Sequence, residues 1–142
     1  QAVPLVVGWT PREGNTKIAV EGLKQRHRAL PLHYETLFNA MEAVAEAGVD
    51  ALESGDLPRL GALFDLNHGY LNACGVSHPS NERMVALARA NGALGAKLTG
   101  AGLGGSVIAI PDGHPDPLAL AIRQAGFDVL VTELRNPPQL LE

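Results

Sequence analysis

Cysteine is almost missing from this chain of 142 residues, and Cys74 is the only one. No intrachain disulfide can form, which points to a reducing, cytoplasmic setting. Cys74 lies among apolar neighbours and reads as a buried, inert thiol rather than a nucleophile. Aromatic residues make up only 4%, so aliphatic side chains must supply the core. No apolar run approaches the ~18 residues that a membrane-spanning helix needs. No signal peptide is expected. Charge is also scarce, at 18% of residues with a formal net of −4. That balance excludes the basic footprint of a general nucleic-acid binder. The most basic stretch, "KQRHR" (24–28), reads as a helix end whose cations face the carbonyl pole. No His, Cys, Asp or Glu residues recur at metal-ligand spacing. The chain opens "QAVPLVVGWT" without an initiating Met, and a fragment of a longer protein is expected.

What is present is a chain with 46% hydrophobic residues, punctuated by 16 glycines and 10 prolines. That suits a single folded domain, with neither an internal repeat nor a linker. "PLVVGWT" (4–10) reads as a buried strand. Asn15 or Thr16 can cap a helix with Ile18, Val20 and Leu23 on its apolar side. Leu30-Pro31 breaks it. Tyr34, Leu37, Phe38, Met41, Val44 and Ala45 then follow helical spacing. Asp56 starts a further helix with Leu57, Leu60, Phe64 and Leu71 inside, and Ser80 is expected to cap a fourth. "AKLTG" and "SVIAI" are strands, Asp116-Pro117 opens a helix, "FDVLVTEL" is the last strand, and "RNPPQLLE" is a tail. The resulting order, β-α-α-α-α-β-β-α-β, predicts an α+β fold with an antiparallel sheet of about four strands and helices on one face.

The run "AKLTGAGLGGSVIAI" (96–110) is the most unusual stretch, with Gly100, Gly102, Gly104 and Gly105 inside six positions. Each glycine in an ordered element is destabilising by roughly 0.5–1 kcal/mol relative to alanine, so a plain chain reversal would use fewer. The run satisfies G-x-G-x-x-G, and Asp128 lies at a plausible distance for a ribose contact. A dinucleotide fingerprint requires a helix to start inside the motif, however, and here a strand-like run ended by Pro111 follows. A Walker A loop also fails, because Lys97 precedes the glycines. Two readings remain from the residues alone. One is an anion-binding concavity of backbone N–H groups beside Lys97, Thr99 and Ser106. The other is a tight strand connection packed beneath a helix.

"KLTGAGLGGSVIAI" resembles the third conserved motif of the GHMP kinases, the superfamily of galactokinase, homoserine kinase, mevalonate kinase and phosphomevalonate kinase. It is most similar to the mevalonate kinase form, K-L-T-G-A-G-G-G-G-C, with Leu103 in place of a glycine and Ser106 at the position often held by cysteine. "FDLNHGYLNACGVSHPSNERMVALARANGALGAKLTG" (64–100) and "VVGWTPREGNTKIAV" (6–20) resemble the other segments of that family's C-terminal half, in the same order. The resemblance runs from Leu5 to Leu134.

The resemblance implies a ferredoxin-like C-terminal domain over residues 1–142, without the family's N-terminal ATP-binding domain. The P-x-x-x-G-L-G-S-S-A phosphate loop is absent, as are the residues that align with the family's catalytic Asp and Lys, so no catalytic residue is assigned in this chain. It implies a parent enzyme that uses ATP and Mg to phosphorylate the hydroxyl of a mevalonate-like small molecule in isoprenoid precursor synthesis. Thr99, Gly100, Ala101, Gly102, Gly104, Gly105 and Ser106 would form a wall near phosphate or substrate carboxylate, with Thr16 and Lys17 reaching the same cleft. His68 is read as part of a packing turn near the cleft, not as a base, and Trp9 and Phe64 as core or domain-interface aromatics. The competing readings are phosphomevalonate kinase or another GHMP member, diphosphomevalonate decarboxylase, and a stand-alone small-ligand-binding module without chemistry. No nucleic acid or membrane partner is expected. Self-association through an exposed domain interface is.

Overall fold

The computed structural model describes residues 2–10 and 14–135. The elements run β1 (Val3–Trp9), α1 (Thr16–Ala29), α2 (Pro31–Ser54), α3 (Leu57–Ala73), α4 (Pro79–Ala90), β2 (Ala93–Leu98), β3 (Ser106–Pro111), α5 (Asp116–Gln124) and β4 (Asp128–Leu134). Their order and type are those read from the sequence. Residues 136–142, most of the expected tail, lie outside the described residues.

Local chemistry sets the boundaries. The Asn15 side chain accepts from the N–H of Ile18 at 3.1 Å, starting α1. Asp56 does the same for Arg59 at 3.1 Å, with Pro58 tolerated in the first turn of α3. Gly55 ends α2 with φ 73°, a left-handed conformation that glycine adopts without a Cβ penalty. Two expectations are corrected. His78, not Ser80, caps α4: its Nδ1 accepts from the N–H of Ser80 at 3.1 Å, which places Pro79 and Ser80 inside the first turn. On α1, Ile18 and Val20 point outward at 61% and 43% exposure, and Ala19 is buried instead. Of the three apolar residues expected inside, only Leu23 packs inward, half-buried against the cluster of Tyr34, Cys74 and Val76.

The four strands form one antiparallel sheet in the order β2-β3-β1-β4. Alternation along each strand divides its side chains between two faces. On one face Val6, Leu98, Val107 and Ala109 pack against Met84, Val85 and Ala88 of α4 and Leu118 and Ile122 of α5. Each fully buried aliphatic side chain in such a cluster contributes about 1.5–3 kcal/mol. On the other face Val3, Leu5 and Ile110 meet Ala51 of α2 and Leu60 of α3, so the antiparallel sheet is as expected but helices pack on both of its faces rather than on one.

Helix α3 reaches that second face because it runs along the outer edge of β2. The Asp65 carboxylate accepts from the N–H of Ala96 at 2.9 Å. One helical turn further, His68 Nδ1 accepts from the N–H of Leu98 at 3.1 Å. Side chains three apart on a helix lie on one face, and alternate residues of an edge strand direct their N–H groups the same way. The two repeats coincide here, so α3 satisfies donors that an edge strand would leave open. The approach needs glycine on both sides. A Cβ at Gly95 would overlap the carbonyl of Gly61, and one at Gly61 would lie 2.6 Å from the carbonyl carbon of Leu94.

Candidate functional site

The glycine-rich run forms the loop between β2 and β3, at the end of the sheet where β1 runs into α1. Its backbone is left-handed over much of its length: Gly100 has φ 80°, Gly102 82°, Leu103 58° and Gly105 72°. Leu103 is the only non-glycine residue with positive φ among those described. The sequence departs from the resembled motif at that position, but the backbone keeps a conformation that suits glycine.

Three segments brace the loop. Asn81, fully buried in the first turn of α4, grips the peptide of Gly104 from both sides. Its Oδ1 accepts from the Gly104 N–H at 2.9 Å, and its Nδ2 donates to the Gly104 carbonyl at 3.1 Å. The same Oδ1 accepts from the N–H of His78 at 3.2 Å, so one side chain ties the helix start to the loop. From the α3–α4 connection, the Val76 carbonyl accepts from the N–H of Leu103 at 2.7 Å and lies where a Cβ on Gly102 would stand. From the β1–α1 connection, the N–H of Thr10 donates to the Gly105 carbonyl at 3.1 Å. A Cβ on Gly14 would come within 2.5 Å of the Gly102 carbonyl.

Bracing leaves specific groups unused. The N–H groups of Gly100, Ala101 and Gly105 make no hydrogen bond to the described residues. The half-buried hydroxyls of Thr99 and Ser106 also have no partner among them, although the N–H of Thr99 donates to the Ser106 carbonyl at 3.0 Å and closes the neck of the loop. Unpaired, pre-oriented N–H groups on left-handed backbone present partial positive charge and can receive an anion. Thr16 and Lys17 open α1 two and three residues beyond Gly14. Gly14 brings that segment against the loop, while the two side chains stay exposed and make no hydrogen bond to it. Trp9 stands on the same edge, paired in register with Ser106 and Asp128, and is 37% exposed.

Behind the loop lies a buried polar group. His68 Nδ1 is occupied by the Leu98 N–H, so the ring proton sits on Nε2 and is donated to Glu82 at 2.8 Å. Ser77 donates its hydroxyl to the same carboxylate oxygen. With both ring nitrogens engaged, His68 is a structural strut, in keeping with its reading as a packing residue. Burial pushes the Cys74 thiol above its usual range, more than the nearby Arg26 guanidinium lowers it, so it stays protonated and inert. Asn81 and the Val76 carbonyl were not singled out from sequence. Asn81 sits at the third helical position, where a reciprocal cap is common, and nothing local announces its reach to Gly104, 23 residues on.

The fold and the braced glycine loop define a kinase-type C-terminal domain. Residues 49–128 match the family model described as GHMP kinases C terminal, and the chain belongs to that family. Among curated proteins it is 39% identical over 137 residues to the mevalonate kinase of Pyrococcus furiosus, covering 93% of this chain and 41% of that protein. The chain thus spans about two-fifths of the length of the curated relatives it matches. Among solved structures, L. major mevalonate kinase in complex with R-mevalonate superposes with a TM-score of 0.86 at 28% identity, over 92% of this chain and 42% of that one. A Streptococcus pneumoniae phosphomevalonate kinase, in complex with phosphomevalonate and AMPPNP, shares the fold at a TM-score of 0.77 and 17% identity, over 94% and 40% of the two chains. The protein is a mevalonate kinase-like GHMP kinase C-terminal domain.

Proposed function

We propose that this chain serves as the C-terminal half of an ATP-dependent small-molecule kinase of the mevalonate kinase type. In that enzyme it forms the anion-facing wall of the cleft opposite an N-terminal ATP-binding domain. The observation that carries this is the braced loop with its unpaired N–H groups at Gly100, Ala101 and Gly105. Phosphoryl transfer relies on positioning and on stabilising charge that develops on oxygen, and rigid N–H groups do both without reorganising. Within this wall, the Thr99 and Ser106 hydroxyls add two donors, and Lys17 supplies an exposed cation at the rim. The loop's donors fit a phosphate oxygen of ATP or a substrate carboxylate. Mg is different: no group of three or more His, Cys, Asp and Glu among the described residues is arranged to hold a metal. Among the described residues no carboxylate hydrogen-bonds to the loop as a base for the acceptor hydroxyl would, and the chain alone is expected to be inactive.

Two assays test this. The chain alone is titrated with Mg-ATP and with mevalonate while ADP release is followed. The chain is then fused behind the N-terminal part of the Pyrococcus furiosus enzyme and assayed again. Mevalonate-dependent ADP release from the fusion, lost on Gly102→Ala, supports the reading. ADP release from the chain alone contradicts it, and so does a folded fusion that binds a ligand but never releases ADP, the behaviour of a non-catalytic binding module. Turnover of phosphomevalonate in place of mevalonate would move the assignment to the kinase that follows.

A further inference from the structure

A second cavity lies away from the glycine loop, between α2, α3 and the sheet. It encloses about 310 Å³, at the lower end of the range of roughly 300–1,000 Å³ typical of small-ligand sites. Its walls are almost wholly apolar, with Leu52 of α2, Phe64 of α3 and Ile108 of β3 prominent among them, and it contains no Asp or Glu. Two polar residues line it, Asn67 and Lys97. Lys97 is paired in register with Ile108, so strand alternation turns it to the α2–α3 side while Leu98 enters the opposite core. Its Nζ lies 6.0 Å from the centre of the Phe64 ring, and it makes no hydrogen bond or ion pair with the described residues. Gly48 keeps the cavity open from above: a Cβ there meets only Leu60 Cδ1, at 4.0 Å, and a longer side chain would project into the space.

A half-buried cation at one place in an apolar cavity, with no internal acid, is complementary to a ligand with one anionic end and an apolar body. We propose that this cavity binds a small linear amphipathic anion, whose head group meets Lys97 and Asn67 and whose chain lies along Phe64, Leu52 and Ile108. This goes beyond the kinase reading and does not depend on it. Charge-assisted contact with the head group and burial of the chain would act together, and removing either would weaken binding.

The test is calorimetric titration of the chain with decanoate, decyl phosphate and decanol below their micelle concentrations. Saturable one-to-one binding of decanoate or decyl phosphate is expected, and whichever binds tighter identifies the head group. Lys97→Met should weaken the anion by about tenfold or more and leave decanol unchanged. Gly48→Leu should abolish binding of both, while Gly48→Ala, whose Cβ the cavity accommodates, should retain it. Circular dichroism of each variant establishes that it is folded. Equal binding of decanoate to the parent and to Lys97→Met, non-saturating heats, or undiminished binding to a folded Gly48→Leu would each overturn the proposal.

Discussion

Two glycines of the loop have nearly the same positive φ and differ in their surroundings, which makes them a matched pair. Gly100 and Gly102 have φ of 80° and 82°, but a Cβ at Gly100 meets nothing within 4 Å, whereas one at Gly102 overlaps the Val76 carbonyl. Gly100→Ala should therefore bring only the left-handed penalty, about 1–2 kcal/mol. Gly102→Ala adds overpacking of about 1–3 kcal/mol to the same penalty. Urea unfolding of the two variants should differ by at least about 1 kcal/mol, and equal losses would mean that the Val76 contact yields freely. Lys97 offers a second test at this scale. Burial holds its pKa below the ordinary 10.5, so between the lowered folded value and 10.5 the unfolded chain binds more protons. Stability contributed by this group must rise with pH across that window. Lys97→Met should be the more stable protein at neutral pH and should show a smaller alkaline rise in melting temperature. A parallel pH profile for both proteins would count against the desolvated lysine.

At the scale of elements, the pairing of α3 with β2 is the contact to break. Asp65→Ala leaves the Ala96 N–H without its acceptor and removes the ion pair to Arg89 at 2.8 Å. His68→Ala does the same at Leu98, in a fully enclosed setting. Each should destabilise by about 1–3 kcal/mol, with His68 the larger because its own side chain is buried at 3% exposure whereas that of Asp65 is 37% exposed. Amide exchange should accelerate at Ala96 in the first variant and at Leu98 in the second; unchanged protection would show the edge to be covered by packing alone. Such pairing explains which parts of the molecule were legible in the sequence. Helices and strands were, because period, caps and breakers are local: Asp56, Gly55 and Asp116-Pro117 stand where the elements begin and end. The glycine run was legible as a place for left-handed backbone, but that Leu103 shares this conformation was not. The clasp of Asn81 on Gly104 and the sealing of β2 by Asp65 and His68 were not, because each joins residues 23 or more apart through a side chain whose type fits many surface positions. The outward turn of Ile18 and Val20 was hidden for a related reason: spacing marks an apolar side of a helix and does not say what covers it.

For the molecule as a whole, the uncovered apolar surface is the informative feature. Ile18 and Val20 of α1 and Leu130, Val131 and Leu134 of β4 are all more than 40% exposed, with Trp9 close behind at 37%. In the proposed enzyme an N-terminal half would cover part of this surface. The isolated chain is expected to self-associate through it. Size-exclusion chromatography with light scattering tests this over a concentration series, and a clean monomer throughout would contradict it. The geometry of the sheet also limits how far such association could go. Among the described residues β4 pairs only with β1 and lies open on its other side, while the far margin of the sheet is occupied by the carboxylate and imidazole of α3. A sheet with one free margin can join a second copy margin to margin, but that joining uses up the free side of both. Strand-by-strand growth is terminated at the pair, so the fold carries a built-in stop against fibre formation, and opening it would require loss of the α3 side chains that occupy β2.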